Sequence, residues 1–558
     1  MRRKNHKYQI DPHEVLIDSE SLSRHSEFDA RLEHPVRASS LRVLLLFTSL
    51  VFAIFLFKLF SLQIVSGEEY RVQSENNRLQ HSVILAERGV VYDRNGTKLV
   101  WNEKPTNGNE YAERQYITLG GFGHILGYAK PPAKDNKGFF YRTNFTGVTG
   151  VEALFDTQLQ GENGTKIIES NVLNEVISKN LIKNPEPGDE VRLSIDADVT
   201  NKLYEEIRLA TEEYGFRGGA AVIMDIHSAE IIALTSYPET DPNVLFAGDE
   251  EEVITEYMSD KANPYLNRAL SGVFTPGSIV KPFVAAAALN EDIISPNKTI
   301  FSSGVLEIQS PYDPDVVYTF RDWQAQGTID MREALAVSSN QYFYIIGGGY
   351  EGQEGLGIAK IDEYMHLFGF GEKTGIKIGD ESPGVVPNPE WKSANFDGED
   401  WYLGDTYHTS IGQYGFLVTP VQAVRAIAAI ANGGTLLTPR IAPSIPLEKE
   451  ELGLNDSDLQ VIREGMRLGV TDEISRSLKL SGLAIAAKTG TAEVGFEKGF
   501  ENSWVIGFFP YDEPRYAFAV LLDHVDKSNN YGAAPNMRSF FEWLVKEKPE
   551  YINPKSTD

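Results

Sequence analysis

Between Val43 and Phe57 the chain runs fifteen residues without a charge, VLLLFTSLVFAIFLF, and stays apolar past a single Lys58 through Leu59, Phe60, Leu62, Ile64 and Val65. Counted to Val65, the stretch exceeds the ~20 residues that cross ~30 Å of hydrocarbon as a helix. Lys58 can snorkel to the nearer interface. Two other readings meet specific objections. A buried soluble helix seldom lacks a polar face for so long, and a cleaved signal peptide seldom has a forty-residue leader before its apolar core. Arg2, Arg3, Lys4, Lys7, Arg37 and Arg42 precede the run, whereas Glu68 and Glu69 follow it. The positive-inside tendency then leaves the N-terminus in the cytoplasm and nearly everything else outside, tethered by one span.

What lies outside is large enough for several folded units. The chain has 558 residues, 42% of them hydrophobic, which allows about three or four domains. A formal net charge of -27 argues against nucleic acid as a partner, because a phosphate backbone demands a basic face. With no cysteine, disulfides, thiolate nucleophiles and cysteine-ligated zinc are excluded. Of the ten histidines, His6, His13, His25 and His34 precede residue 40, and no pair shows metal-ligand spacing on a helix.

Composition and turn signals divide the chain into a mixed-charge tail over residues 1–40, the span over 41–65, a β-rich segment over 66–190 and a larger domain over 191–558. Asn95-Gly96 between two β-prone flanks, Val90 to Tyr92 and Lys98 to Val100, predicts a hairpin. Val151 to Phe155 reads as a short helix between glycine-rich turns, and Pro185 to Asp189 as a linker. Beyond it, Val199, Leu203, Ile207 and Ala210 predict a helix capped by Asp198 or Thr200. Ala220 to Asp225 and Glu230 to Leu234 predict adjacent antiparallel strands. Leu483 to Ala487, Trp504 to Phe509 and Tyr516 to Leu522 predict three more, followed by a helix from Asn536 to Lys546. The expected fold class is α+β, one antiparallel sheet covered by helices.

Three polar clusters in the last half of the chain carry chemistry. Ser278 follows Pro276-Gly277 and precedes an apolar run, so it falls in the first turn of a buried helix, with Lys281 one turn on and on the same face. A serine hydroxyl needs a nearby base, and a lysine serves only if burial or a neighbouring positive charge lowers its pKa. Lys488 is a candidate for that neighbour. Pro282 has no N–H for the Ser278 carbonyl, so the first turn must do without one bond. Ser338 and Asn340 lie between two helical stretches, where capping is the ordinary role of such residues. In a cleft, Ser338 would relay a proton and Asn340 would bind a substrate amide. Lys488-Thr489-Gly490-Thr491 ends a strand of small residues. Its glycine would let a substrate backbone approach, and its lysine and hydroxyls suit a carboxylate. A helix surface, a cap and a surface turn are the competing readings of the three.

Taken in order, the clusters resemble the Ser-x-x-Lys, Ser-x-Asn and Lys-Thr-Gly signature of the penicillin-recognising serine acyltransferases. Arg88-Gly89, Asp93-Arg94-Asn95-Gly96, Gly150-Val151-Glu152, Pro187-Gly188-Asp189 and Ser194-Ile195-Asp196 are similar to pedestal and junction motifs of the class B penicillin-binding proteins. Thr409-Ser410-Ile411-Gly412-Gln413, Thr419-Pro420, Gln422 and Trp504 to Phe508 are similar to motifs of their transpeptidase domain.

The resemblance implies a penicillin-recognising transpeptidase fold behind a β-rich pedestal, and a peptidoglycan D,D-transpeptidase acting in elongation or division, with elongation preferred. It implies that Ser278 is acylated by a D-Ala-D-Ala stem peptide or a β-lactam, with Lys281 as base. Ser338 and Asn340 would shuttle the proton and hold the donor, and Lys488, Thr489 and Thr491 would grip its carboxylate. Gly490 completes that cluster, and the backbone N–H groups of Ser278 and Thr491 would form the oxyanion hole. No cofactor or metal is implied; a SEDS-type glycosyltransferase is the implied membrane partner. A membrane-tethered β-lactamase, a β-lactam sensor and a non-catalytic cell-wall scaffold are the alternatives.

Overall fold

The computed structural model describes residues 38–76, 79–105, 110–136, 140–170, 176–310, 313–494 and 499–553. Residues 1–37, most of the expected tail, lie outside these. The chain divides into two compact units, Met1–His81 with Ile167–Asn180 and Ser82–Lys166 with Leu181–Asp558.

In the first unit, α1 (Ala38–Phe60) passes into a π-helical turn, Ser61–Val65. The apolar segment Ser39–Val65 has 27 residues, and the protein buries none of its most apolar 18-residue stretch, whose mean hydropathy is 2.6. Among the described residues it alone is long and apolar enough to cross a membrane, and it supplies a single-pass anchor. Its polar Thr48 is satisfied internally, donating to the Leu44 carbonyl at 2.9 Å.

The second unit begins with a four-stranded sheet built from β1 (Val91–Tyr92), β2 (Lys98–Glu103), β3 (Glu113–Tyr116) and β4 (Val191–Arg192), in the order β4-β1-β2-β3. The Asn95-Gly96 turn joins β1 to β2 as expected. Gly96 takes φ +90°, and the Asp93 carboxylate accepts from the Asn95 and Thr97 amides at 2.8 and 2.7 Å. Behind this sheet lies a buried charge network. Glu152, on the short helix Gly150–Leu154, receives Arg88 at 2.5 Å and Arg114 at 2.8 Å, with all three side chains fully buried.

The larger sheet has five antiparallel strands, β5 (Gly218–Asp225), β6 (Ile231–Tyr237), β7 (Ala486–Val494), β8 (Phe500–Phe509) and β9 (Tyr516–Asp526), in the order β6-β5-β9-β8-β7. The helices that frame it and the site are α2 (Ala197–Tyr214), α3 (Lys281–Asn290), α4 (Met331–Val337), α5 (Asn340–Gly348), α6 (Pro420–Ala431) and α7 (Ala533–Glu547). Strand alternation sorts the core into two layers. Ala220, Val222 and Met224 pack with α3 and α6, while Ala221 and Ile223 pack with α2 and α7. Every residue of β5 is therefore buried.

Two sequence expectations need correction. The cap of α2 is Asp196, which accepts from the Asp198 and Val199 amides at 3.0 and 3.1 Å; Asp198 and Thr200 already lie inside the first turn. The strand expected to end at Ala487 instead starts at Ala486 and runs to Val494, so Lys488 to Thr491 lie within it. These polar residues are held in the strand by pairing, Lys488 opposite Ile506 and Gly490 opposite Trp504.

Candidate active site

Ser278 lies in a 3-10 turn, Gly277–Val280, that leads directly into α3. The bond that Pro282 cannot make is replaced within the turn, where the Lys281 amide donates to the Ser278 carbonyl. Gly277 opens the turn at φ +56°, and a Cβ there would meet the Thr491 carbonyl oxygen at 2.7 Å. On its other side Gly412, at φ +75°, has room for no side chain, since a Cβ would fall 2.2 Å from the Gly277 oxygen. The Gly277 amide donates to the Gly412 carbonyl at 3.0 Å. Trp504 on β8 steadies the approach by donating its indole N–H to the Thr275 carbonyl at 3.0 Å.

The edge strand β7 lies directly against this turn, and Gly490 is what permits it. A Cβ on Gly490 would sit 2.8 Å from both the Pro276 oxygen and Ile279 Cγ2. The space expected to admit a substrate backbone is thus filled by the nucleophile's own turn. Ser278 itself is half-buried, and no hydrogen bond joins its hydroxyl to any described residue.

Ser338 ends α4 in the left-handed region at φ 57°, ψ 42°, and Ser339 caps α5 by accepting from the Tyr342 amide at 3.2 Å. The sharp turn aims Ser338 into the protein. Lys281 Nζ donates to the Ser338 carbonyl at 2.7 Å and to Asn340 Oδ1 at 2.8 Å, and it lies 3.3 Å from Ser338 Oγ. Lys488 Nζ reaches the same Oγ at 2.7 Å and the Thr489 carbonyl at 2.8 Å. The structure therefore gathers Lys281, Ser338, Asn340 and Lys488 into one connected group beside the Ser278 turn. Along β7, Lys488 and Gly490 are buried while Thr489 is half-buried and Thr491 exposed. Alternation puts both threonine side chains on the strand face opposite Lys488. Lys488 is assembled with Ser338, and the two hydroxyls form a separate pair.

Electrostatics follow from burial. Lys281 is fully buried and pushed down to about 7, chiefly by desolvation, with the Asp322 carboxylate pulling it part of the way back up. Lys488, equally buried, lies well below the usual ammonium range, first through desolvation and then through repulsion from Lys281. The expectation that Lys488 keeps Lys281 neutral needs revision. Burial does most of that work, and repulsion between the two lysines, which each exerts on the other, comes second.

Asp322 escaped the sequence reading. It sits between an exposed hairpin strand, Val317–Arg321, and Trp323, in no pattern that marks a site. Gly277 and Gly412 had a sequence signal, glycines beside a candidate nucleophile and inside a family-like motif, but their mutual contact is a tertiary fact. Among the described residues no group of acidic or histidine side chains could hold a metal ion.

A helix-borne Ser-x-x-Lys, a serine-asparagine turn and a Lys-Thr-Gly edge strand around one sheet define a serine acyl-transfer class of protein. Comparison with known proteins agrees. Residues 219–542 match the penicillin binding protein transpeptidase domain, and residues 107–193 match the penicillin-binding protein dimerisation domain. The chain belongs to the penicillin-binding protein transpeptidase family, in its class B, PBP2-type branch. It is 29% identical over 466 residues to a protein of Acinetobacter baumannii named peptidoglycan D,D-transpeptidase MrdA, covering 78% of this chain and 66% of that protein. The protein of the same name from Escherichia coli K12 is 26% identical over 87% of this chain and 90% of its own length. Among solved structures, the penicillin-binding protein PBP2 of Helicobacter pylori in complex with MreC superposes with a TM-score of 0.69 at 25% identity, covering 84% of this chain and 99% of that one.

Proposed function

We propose that this chain is a membrane-anchored peptidoglycan D,D-transpeptidase that crosslinks stem peptides through an acyl-enzyme on Ser278. The observation that carries the reading is the Ser338 hydroxyl held between two buried lysines beside the Ser278 turn. Neutral Lys281 accepts the Ser278 proton as Oγ attacks the carbonyl of the penultimate D-alanine. The tetrahedral oxyanion points at the backbone N–H groups of Ser278 and Thr491. As the C–N bond to the terminal D-alanine breaks, the proton passes through Ser338 to the leaving amine. Asn340 binds the donor peptide, and the Thr489 and Thr491 hydroxyls take its terminal carboxylate, while Lys488 holds Ser338 Oγ from the other face of the strand. An amine of a neighbouring stem peptide then attacks the ester, frees Ser278 and completes the crosslink. A β-lactam acylates the same oxygen, and no cofactor enters the cycle.

The basic residues before the span and Glu68 and Glu69 after it support a cytoplasmic N-terminus and an extracytoplasmic catalytic domain. Residues 1–40 act as the cytoplasmic tail, 41–65 as the span, 66–190 as the pedestal and 191–558 as the transpeptidase domain. Partners belong to cell-wall synthesis, as the MreC complex of the Helicobacter relative supports. A SEDS-type glycosyltransferase is the proposed neighbour in the membrane.

Mass spectrometry after exposure to penicillin tests the reading. A long-lived adduct on Ser278, absent in Ser278→Ala, is expected. Rapid turnover of the adduct would point to a β-lactamase, and an unmodified wild-type chain would overturn acyl transfer altogether.

A further inference from the structure

Asp322 stands sixteen residues before Ser338 in the chain, yet three of the four donors to its carboxylate come from the turn that Ser338 belongs to. Oδ1 accepts from the Asn340 amide at 2.9 Å and from the Trp323 amide at 2.9 Å. Oδ2 accepts from the Ser339 hydroxyl at 2.6 Å and from the Gln341 amide at 3.0 Å. Four donors occupy the roughly four acceptor positions a carboxylate has. Next to it, Trp323 donates its indole N–H to the Val337 carbonyl at 3.1 Å. The two residues therefore hold the chain immediately before and after Ser338. That restraint falls on a residue at φ 57°, a left-handed conformation that a side chain disfavours and that persists only when the surroundings impose it.

We propose that Asp322 is a positioning residue of the acyl-transfer site: its carboxylate clamps the Ser338 turn and so holds the Ser338 hydroxyl between Lys281 and Lys488. The inference rests on the reading of Ser278 as the acylated nucleophile. Asp322 touches no reacting atom and acts through Ser338 and Lys281. The charged groups that bear on Lys281 are Asp322, whose carboxylate favours the ammonium, and Lys488, which shares Ser338 Oγ with it.

The test measures the second-order rate of acylation of the full-length protein by a fluorescent penicillin between pH 5.5 and 9, for wild type, Asp322→Asn and Ser339→Ala. Asp322→Asn removes the charge and at least one acceptor. Its rate is expected to fall about 100-fold, as for a misplaced catalytic group, and the acidic limb of its pH profile to move to lower pH, since Lys281 loses the carboxylate that favours its ammonium. Ser339→Ala removes one donor to Asp322 together with the α5 cap, and no charge, so the rate falls about tenfold with the limb unmoved. A merely structural Asp322 would lower the melting temperature and leave the limb of the folded protein in place, which overturns the proposal. So does an Asp322→Asn rate within threefold of wild type. If Asp322→Asn does not fold, Ser339→Ala decides: a rate within twofold of wild type overturns the clamp, and a fall of about tenfold supports it. A wild-type chain that forms no adduct overturns the acyl-transfer reading itself, whereas a normal wild type matched by Asp322→Asn overturns only the role of Asp322.

Discussion

Lys281 on a helix and Lys488 on an edge strand converge on one oxygen, the Ser338 hydroxyl, at 3.3 and 2.7 Å. Both are fully buried, and a dry site disfavours two adjacent ammonium charges far more than water does. Burial lowers both, Lys281 to about 7, and two consequences can be measured.

Acylation should follow the neutral form of Lys281. With its pKa pushed down to about 7, the rate of penicillin acylation should rise with pH through that value and level off above it. Lys281→Met should abolish the adduct at every pH, which stopped-flow fluorescence with a labelled penicillin checks.

The same burial makes Lys281 a liability for stability. Its folded value of about 7 lies below the ordinary lysine value of 10.5. Between those limits the unfolded chain holds the proton and the folded one does not, so stability rises with pH across this window. Lys281→Met should therefore be more stable than wild type at pH 7, by about 1–2 kcal/mol. The difference should shrink toward pH 10 in denaturant titrations, while activity stays absent throughout.

Gly490→Ala should damage the site more than the sheet. The added methyl lies 2.8 Å from the Pro276 oxygen and from Ile279 Cγ2, so the Ser278 turn or the strand has to move. We expect a loss of about 1–3 kcal/mol in stability and about 100-fold in acylation rate. Gly499→Ala, where a Cβ meets nothing within 4 Å, should change neither and serves as the control.

Glu152→Gln should act far from the chemistry. Arg88 and Arg114 lose the buried carboxylate they meet at 2.5 and 2.8 Å; Arg88 keeps the Asp156 carboxylate at 2.7 Å, but among the described residues no other carboxylate meets Arg114. An uncompensated buried charge destabilises by about 3–5 kcal/mol. Calorimetry should show a lowered melting transition that added salt does not restore.

Local patterns carried much of this in the sequence. Pro276-Gly277 before an apolar run located the start of the Ser278 turn and α3, Asn95-Gly96 located a hairpin, and short continuous apolar runs located β5, β6, β8 and β9. Such signals survive because a turn or an amphipathic face is built from residues a few positions apart. The extent of β7 was not legible, because Lys488 to Thr491 look like a polar break until β8 pairs with them. Asp322 was not legible either, since three of its four donors, from Ser339, Asn340 and Gln341, become neighbours only when the hairpin before it folds onto the Ser338 turn.

By itself the sequence determined the apolar segment that anchors the chain, the succession of elements and the presence of a serine, two lysines and a hydroxyl-rich cluster in a meaningful order. Those follow from residue type and short-range spacing. Tertiary structure decided which groups meet and in what state. Lys488 joined Ser338 because strand alternation turned it away from Thr489 and Thr491, and Gly490 admitted the nucleophile's turn. Lys281 came near to losing its proton at neutral pH because a pKa depends on the solvent and charges around a group, and the fold that removed the water also brought Asp322 within reach.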